Sequence, residues 1–502
     1  MSPTMTTERP IDLDTLTLGA VLDGVLRGRQ ITVLGFARSG IALARFFADA
    51  GADVTVYDGR PASELASAAD ALEGREVRLA VGPDVDPASA WAGAALVATS
   101  PSINPDFPTT EPRLRSALRG LVADPAGPAL VSEADLFLRL CPAPTIGVTG
   151  TKGKTTTSSV IAAVLAADPI HPVVLGGNIG IPLVERLPEL TPGDRVVIEL
   201  SELQLPTLSR GTTVAAYTNV TSDHLDRHGS LEGYRAAKRR LAELVDPAGV
   251  LVLNADDPVV AAYAQLETAP VTFYGWGAPR ERGVGIVDGW IVDDGAGRIM
   301  PIDELAIPGR HNVSNAMAAV AVGRWFDVPP EMIRTAAAAF SGVEHRLEEV
   351  ATIDGVRFVN DSQGTQPDAV VAALEAFEPP VVLIAGGRDK GVDLSALAPV
   401  VAERAAAAVL IGESGPTLES LFRDAGLADT RRAETLDDAV RAADAIARDL
   451  IAAGAPEPGT VLLSPAAASF DMFVDYAARG QAFKESVERL GAGRRAEQGR
   501  EP

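Results

Sequence analysis

Short runs of consecutive apolar residues, each closed by glycine, asparagine or an acid, alternate with alanine-rich amphipathic stretches along most of the chain. Ile31-Thr-Val-Leu-Gly35 is the first of these runs, and Asp53–Tyr57, Ala95–Thr99, Pro144–Thr149, Arg195–Glu199, Ala215–Asn219 and Val250–Asn254 follow it. Later come Val356–Asn360, Val381–Ala385, Ala408–Gly412 and Thr460–Ser464. Runs this short, apolar at successive positions, predict strands covered on both faces, the pattern of parallel sheets. The intervening segments Phe36–Phe47, Thr157–Ala167 and Leu436–Ala452 have helical composition. Strand and helix in alternation predict an α/β fold built from βα units. From about Val271 to Ile307 the text turns Gly-, Val- and Asp-rich with short alternations, predicting β-hairpins before helices resume at Asn312. No repeat of 20–50 residues is evident, which excludes a solenoid.

Length sharpens this picture. The 502 residues exceed what one core supports, and at about 150 residues per domain they predict roughly three. The blocks divide at residues 1–141, 142–342 and 343–502: a Rossmann-like domain, a central nucleotide-binding domain with the hairpin region, and a second Rossmann-like domain. Met1–Pro10 and Gly491–Pro502 are polar and read as disordered tails.

Composition excludes several classes. Lys and Arg number 44 against 67 Asp and Glu, for a formal net charge of −23. That balance argues against nucleic-acid binding and against an anionic membrane surface. The lone Cys141 cannot form an intramolecular disulfide and reads as a small residue at a domain junction. No apolar stretch reaches transmembrane length and the N-terminus lacks a signal core, so a cytoplasmic protein without membrane insertion is expected.

Local chemistry concentrates in Gly150-Thr-Lys-Gly-Lys154-Thr155-Thr156. Following a strand and opening a helix, such glycines let backbone N–H groups approach phosphate oxygens. Lys154 would then meet the terminal phosphates, and the Thr155 hydroxyl a Mg²⁺ ion. Val148 stands where the strict motif has its first glycine, so this is a shortened form. Glu199 closes a buried strand in the same block, the usual place for a second metal-anchoring carboxylate. Asp223-His-Leu-Asp-Arg-His228 holds two of five histidines; it reads either as a capped helix start or as a ligand set around His224. Lys238 alone reads as a solvated helix residue. In the first block, Gly35–Gly40 followed by Asp58 fits a nucleotide-type ligand and plain βαβ architecture equally, because Ala37 replaces the middle glycine of the fingerprint.

Taken together, these residues resemble the Mur ligase family of peptidoglycan precursor enzymes. Val148–Thr155, Gly176–Gly180, Glu199–Ser201, Asn219–Asp226 and Tyr234–Lys238 carry the resemblance. It continues in Gly309–Ala316, Glu344–Arg346, Asn360–Ser362 and Gly386–Lys390, and spans about Ile31 to Leu490. The ending Leu463–Phe473, with Tyr476 and Arg479-Gly480, is most similar to the branch that adds D-glutamate. The resemblance implies a cytoplasmic, monomeric, ATP-dependent amide ligase joining D-glutamate to UDP-N-acetylmuramoyl-L-alanine through an acyl phosphate.

The same resemblance implies roles residue by residue. Gly150, Thr151, Lys152, Gly153, Lys154, Thr155 and Thr156 would hold ATP, with Asn315, Arg346 and Asp361. Two Mg²⁺ (or Mn²⁺) ions would rest on Thr155, Glu199, His224 and a carbamylated Lys238. Gly35, Ser39, Gly40, Asp58, Asn178 and Ser201 would face the UDP substrate. Thr365, Lys390, Ser469 and Phe470 would hold the amino acid.

Three departures stand out. Asp361-Ser-Gln363-Gly-Thr365 replaces the branch's usual Asp-Ser-Lys-Ala-Thr, Glu202 replaces a serine, and Ser102 replaces a glycine. The first leaves L-glutamate or another amino acid open as the substrate. A folylpolyglutamate-synthase-like ligase is the other alternative, countered by roughly 140 residues before the phosphate loop. A GTPase-like switch would need an Asn-Lys-x-Asp loop, which is not found. A dehydrogenase would leave Lys154 unexplained.

Overall fold

The computed structural model describes residues 10–179, 182–221, 228–307, 309–388, 394 and 396–498. The apolar runs fold into three sheets. The first contains β1 (Gln30–Leu34), β2 (Asp53–Asp58), β3 (Val77–Val81), β4 (Leu96–Thr99) and β5 (Ala129–Ser132), ordered β3-β2-β1-β4-β5 and wholly parallel. The second contains β6 (Thr145–Thr149), β7 (Val173–Gly177), β8 (Arg195–Glu199), β9 (Val214–Tyr217), β10 (Val250–Asn254), β11 (Val271–Tyr274), β12 (Val284–Val287), β13 (Trp290–Asp293) and β14 (Gly297–Pro301). Its order is β14-β13-β12-β11-β10-β9-β6-β8-β7. The third contains β15 (Glu348–Ile353), β16 (Val356–Asn360), β17 (Val381–Gly386), β18 (Ala407–Ile411), β19 (Thr430–Arg432) and β20 (Gly459–Leu463), ordered β15-β16-β20-β17-β18-β19.

The α/β class and its parallel sheets are those read from the sequence, with three corrections. Gly491–Gln498, read as part of a disordered tail, is the last part of the helix Tyr476–Gln498. The region 271–307 is not all hairpin: β11 pairs parallel with β10, and only β12–β14 form antiparallel pairs. The third sheet opens with β15, antiparallel to β16. Glu348–Ile353 is only half-buried along its length, so no continuous apolar run announces it.

Central strands are covered on both faces as the pattern requires; every residue of β6, β8 and β10 is buried. One face of the second sheet packs on the helices Lys154–Ala166 and Arg310–Trp325, through Val160, Ile161, Val164 and Met317. Its other face shares a continuous apolar core with the first sheet. The third sheet has a separate core on each face. The chain packs as two compact units, Met1–Phe340 and Ser341–Pro502, with the first two sheets in the former. Among the described residues no helix is long and apolar enough to cross a membrane. Cys141 ends the helix Glu133–Leu140, and burial raises its thiol to about 11, so it is an inert thiol.

The same short helix carries a titration prediction. Glu133 is buried, and burial lifts its carboxyl from 4.5 to about 7, against the opposing Val184 N–H and the Arg38 charge. The folded state therefore holds a proton that the unfolded state has released between these values. Stability of the first unit should fall as pH rises from about 4.5 to about 7, by on the order of 3 kcal/mol. Glu133→Gln, which cannot ionise, should flatten that slope in urea melts taken across this range.

Candidate active site

β6 lies between β8 and β9, with Val148 opposite Glu199 and Thr149 opposite Tyr217. The carboxyl ends of the three strands therefore converge, and the chain passes from β6 directly into the Gly150–Gly153 loop. Open α/β sheets bind ligands at such a place. The loop is braced from β9: Thr151 N–H donates to Asn219 O at 2.7 Å and Lys152 N–H to Asn219 Oδ1 at 2.9 Å. Thr218 Oγ1 donates to Lys152 O at 2.7 Å. Gly153, at φ +84°, caps the helix Lys154–Ala166 without any side-chain hydrogen bond, the kind of helix N-terminus that can receive an anion. Lys154 Nζ donates to Thr151 O at 2.8 Å, held across the loop. Lys152 is exposed, Thr155 is buried and Thr156 half-buried.

Gly150 has a second constraint. A Cβ there would sit 1.9 Å from Thr218 Oγ1, and its φ of +153° is strained for any other residue. Gly150→Ala should cost about 2–4 kcal/mol in chemical denaturation and displace the Thr218–Lys152 bond that shapes the loop.

Around this loop stand the other residues singled out above. Asn315, on the helix Arg310–Trp325, accepts from Thr157 Oγ1 at 3.0 Å, and its Oδ1 lies against Gly153. Asn178 Nδ2 donates to Glu199 Oε1 at 2.7 Å, while Asn178 O accepts from Arg38. The other carboxylate oxygen, Glu199 Oε2, is buried with no hydrogen-bond partner among the described residues. Leaving a buried carboxylate oxygen unpaired is costly unless a cation or donor completes it. Lys238 is fully buried; its Nζ donates to Thr149 Oγ1 at 3.2 Å, which itself donates to Leu200 O at 2.8 Å. Lys238 is thus no solvated lysine. It reaches between the ends of β6 and β8. Ser201 is occupied locally, donating to Gln204 Oε1. His224 lies outside the described residues.

Sequence reasoning gave no role to three residues here. Thr218 and Asn219 shape the loop from 66 and 67 residues away, and Tyr234 Oη pairs with Thr151 Oγ1 at 2.9 Å. Tyr234 and Lys238 are four apart on the helix Leu231–Leu244, hence on one face. That spacing was the available signal.

A cavity of about 610 Å³ opens at the carboxyl ends of β1, β2 and β4, lined by Gly35, Asp58, Arg60, Ser102, Thr110 and Arg113 among others. Asp58 accepts from Phe36 N–H at 2.9 Å and from three nitrogens of Arg60. Burial pushes the Asp58 carboxyl up, but these hydrogen bonds outweigh it and hold it below the usual carboxylate range. Arg60, not singled out from the sequence, gives this cavity a cation. Ser39 and Gly40 are not in its lining. A Cβ on Gly40 would meet Gly35 O at 1.8 Å, so this glycine serves close helix–strand packing.

In the second unit, Asp361 ends β16 and accepts from Ser464 Oγ at 2.7 Å and Leu347 N–H at 3.2 Å. Burial raises its carboxyl to about 6. Arg346 is exposed, Thr365 half-buried, Ser469 buried and Phe470 exposed. Gln363 Nε2 donates to Glu344 O at 3.3 Å. The buried guanidinium of Arg479 joins the loops after β16 and β20, donating to Ser362 Oγ, Ser362 O and Ala467 O. Lys390 lies outside the described residues.

A strand–loop–helix turn with a buried acid at the neighbouring strand end is the arrangement that nucleotide-phosphate-binding α/β proteins use. The Mur ligase middle domain matches residues 148–323, and the Mur ligase glutamate ligase domain matches residues 345–467. The UDP-N-acetylmuramoylalanine--D-glutamate ligase of Symbiobacterium thermophilum is 39% identical over 93% of this chain and 99% of its own. That of Geobacter metallireducens is 39% identical over 94% and 99%. Among solved structures, the UDP-N-acetylmuramate-alanine ligase of Thermotoga maritima shares the fold, with a TM-score of 0.53 and 19% identity over 92% of this chain and 99% of that one. The chain belongs to the Mur ligase family of ATP-dependent ligases.

Proposed function

We propose that the chain joins D-glutamate to UDP-N-acetylmuramoyl-L-alanine at the expense of ATP, as a cytoplasmic monomer. The observation that carries this is the braced phosphate loop beside the unpartnered oxygen of Glu199, in a chain 39% identical to ligases named for that reaction. A carboxylate is a poor electrophile, so the terminal carboxylate of the substrate first takes the γ-phosphoryl group of ATP. ADP leaves with the electrons of the broken P–O bond; the amino acid's amine then attacks the acyl phosphate and gives up a proton, the amide forms, and phosphate leaves with the electron pair of the broken C–O bond. Lys154 and the first-turn N–H groups of its helix neutralise charge on the transferring phosphoryl group. Asn315, Arg346 and Asp361 are assigned to the nucleotide. The Asp58 cavity is assigned to the uridine moiety, and Asn178 and Ser201 to the rest of that substrate. Thr365, Lys390, Ser469 and Phe470 are assigned to the amino acid. The acyl phosphate is prone to hydrolysis, so exclusion of water during the reaction is required.

Residues at the loop suit divalent cations. Glu199 Oε2 lacks a partner among the described residues, and Thr155 carries a hydroxyl at the start of the helix. Among the described residues no three His, Cys, Asp or Glu side chains cluster. Two Mg²⁺ ions held by Thr155, Glu199, His224 and carbamylated Lys238 would supply charge neutralisation at the phosphates. A carbamate would turn the buried Lys238 from cation into anion, suiting it to that set.

The test is phosphate release with ATP and UDP-N-acetylmuramoyl-L-alanine, with D-glutamate and L-glutamate assayed side by side. Release that requires D-glutamate supports the proposal. A preference for L-glutamate would assign Gln363 a different specificity, and release from ATP alone would refute ligation.

A further inference from the structure

At the opposite, amino-terminal end of β1 and β2 lies a second cavity of about 620 Å³. It has the volume of a drug-sized ligand site, and no residue of the phosphate loop or of the Asp58 cavity lines it. Three arginines face it in a chain of net charge −23. Two of them are already compensated. Arg75 pairs with Asp49 at 2.7 Å and Glu73 at 3.1 Å, and Arg45 pairs with Glu73 and, at 3.1 Å, with Glu185.

What remains uncompensated is specific. Arg45 Nε has no acceptor among the described residues, but it is buried and not open to the cavity. Arg27 has no ion pair or side-chain hydrogen bond among the described residues, while its stem packs against Gly51. Beside these groups the wall is apolar, with Phe46, Pro188 and Leu22, the last 58% exposed. One guanidinium without a side-chain acceptor among the described residues, next to an apolar wall, matches one carboxylate on an apolar body. The paired carboxylates of Asp49 and Glu185 on the same lining would repel a ligand of higher charge.

We propose that this cavity is a second ligand site, for a compact amphipathic monocarboxylate that places its carboxylate on Arg27 and its body against Leu22 and Phe46. The site is defined by binding alone and does not depend on the ligase reading. Ligand-observed NMR on the full chain tests it with indole-3-acetate, 4-phenylbutyrate and octanoate, beside the neutral indole-3-acetamide. At least one carboxylate should bind with a Kd on the order of 1 mM. The amide should bind at least about fivefold more weakly, and saturating UDP should leave carboxylate binding unchanged. Arg27→Gln and Leu22→Glu, both at exposed positions, should each weaken binding at least about fivefold. The proposal is overturned by any of four results: no carboxylate binding at about 10 mM, equal binding of the amide, displacement by UDP, or unchanged binding in either variant.

Discussion

Lys154→Ala should lower phosphate release with all three substrates by at least about a thousandfold while the melting curve stays close to that of the parent chain. The two readouts separate because of where the side chain sits. Lys154 stands in the first turn of the helix Lys154–Ala166, and its Nζ makes one hydrogen bond, to a loop carbonyl. Alanine is a better helix former, which offsets part of the cost of freeing the carbonyl of the buried Thr151. In catalysis no other cation of the loop stands in for it, since Lys152 is exposed and its backbone is committed to Asn219. Turnover within about tenfold of the parent would remove Lys154 from the phosphate site.

Lys238→Ala should also abolish ligation, with a different signature. The lysine is fully buried between the ends of β6 and β8, so its removal opens a space the size of the side chain. Acetate or propionate at high concentration can occupy that space and restore an anion. Partial recovery of phosphate release with such acids, and none with the matching amides, is the expected result. Loss without recovery would leave Lys238 a structural cation and retire the carbamate.

Most of what positions the site was legible in the sequence, because a strand buried on both faces must be written as an unbroken apolar run. β6, β8 and β10 are such runs, and Gly150–Thr156 and Glu199 sit where two of them end. Strands with an exposed or polar face escaped. β3 carries Arg78 and β15 opens with two glutamates, so their patterns match loops as well as strands. The bracing of the loop was also illegible, since Thr218 and Asn219 gain their roles only from the pairing of β6 with β9. Lys238 shows the limit most clearly. Its helix has polar neighbours at Arg235, Arg239 and Arg240, and periodicity alone does not distinguish a buried lysine from a solvated one. Only the resemblance had assigned it to the site.

The borders of the sheets carry a consequence for the chain before it is fully folded. An open strand border is a template on which another copy can pair and begin to aggregate. β19, at one border of the third sheet, is three residues long and displays Arg431 and Arg432 to solvent. β3, at one border of the first, displays Arg78. These exposed guanidinium groups place positive charge along the two borders. They make self-association unfavourable at borders that parallel sheets, slow to assemble, must leave open for longest.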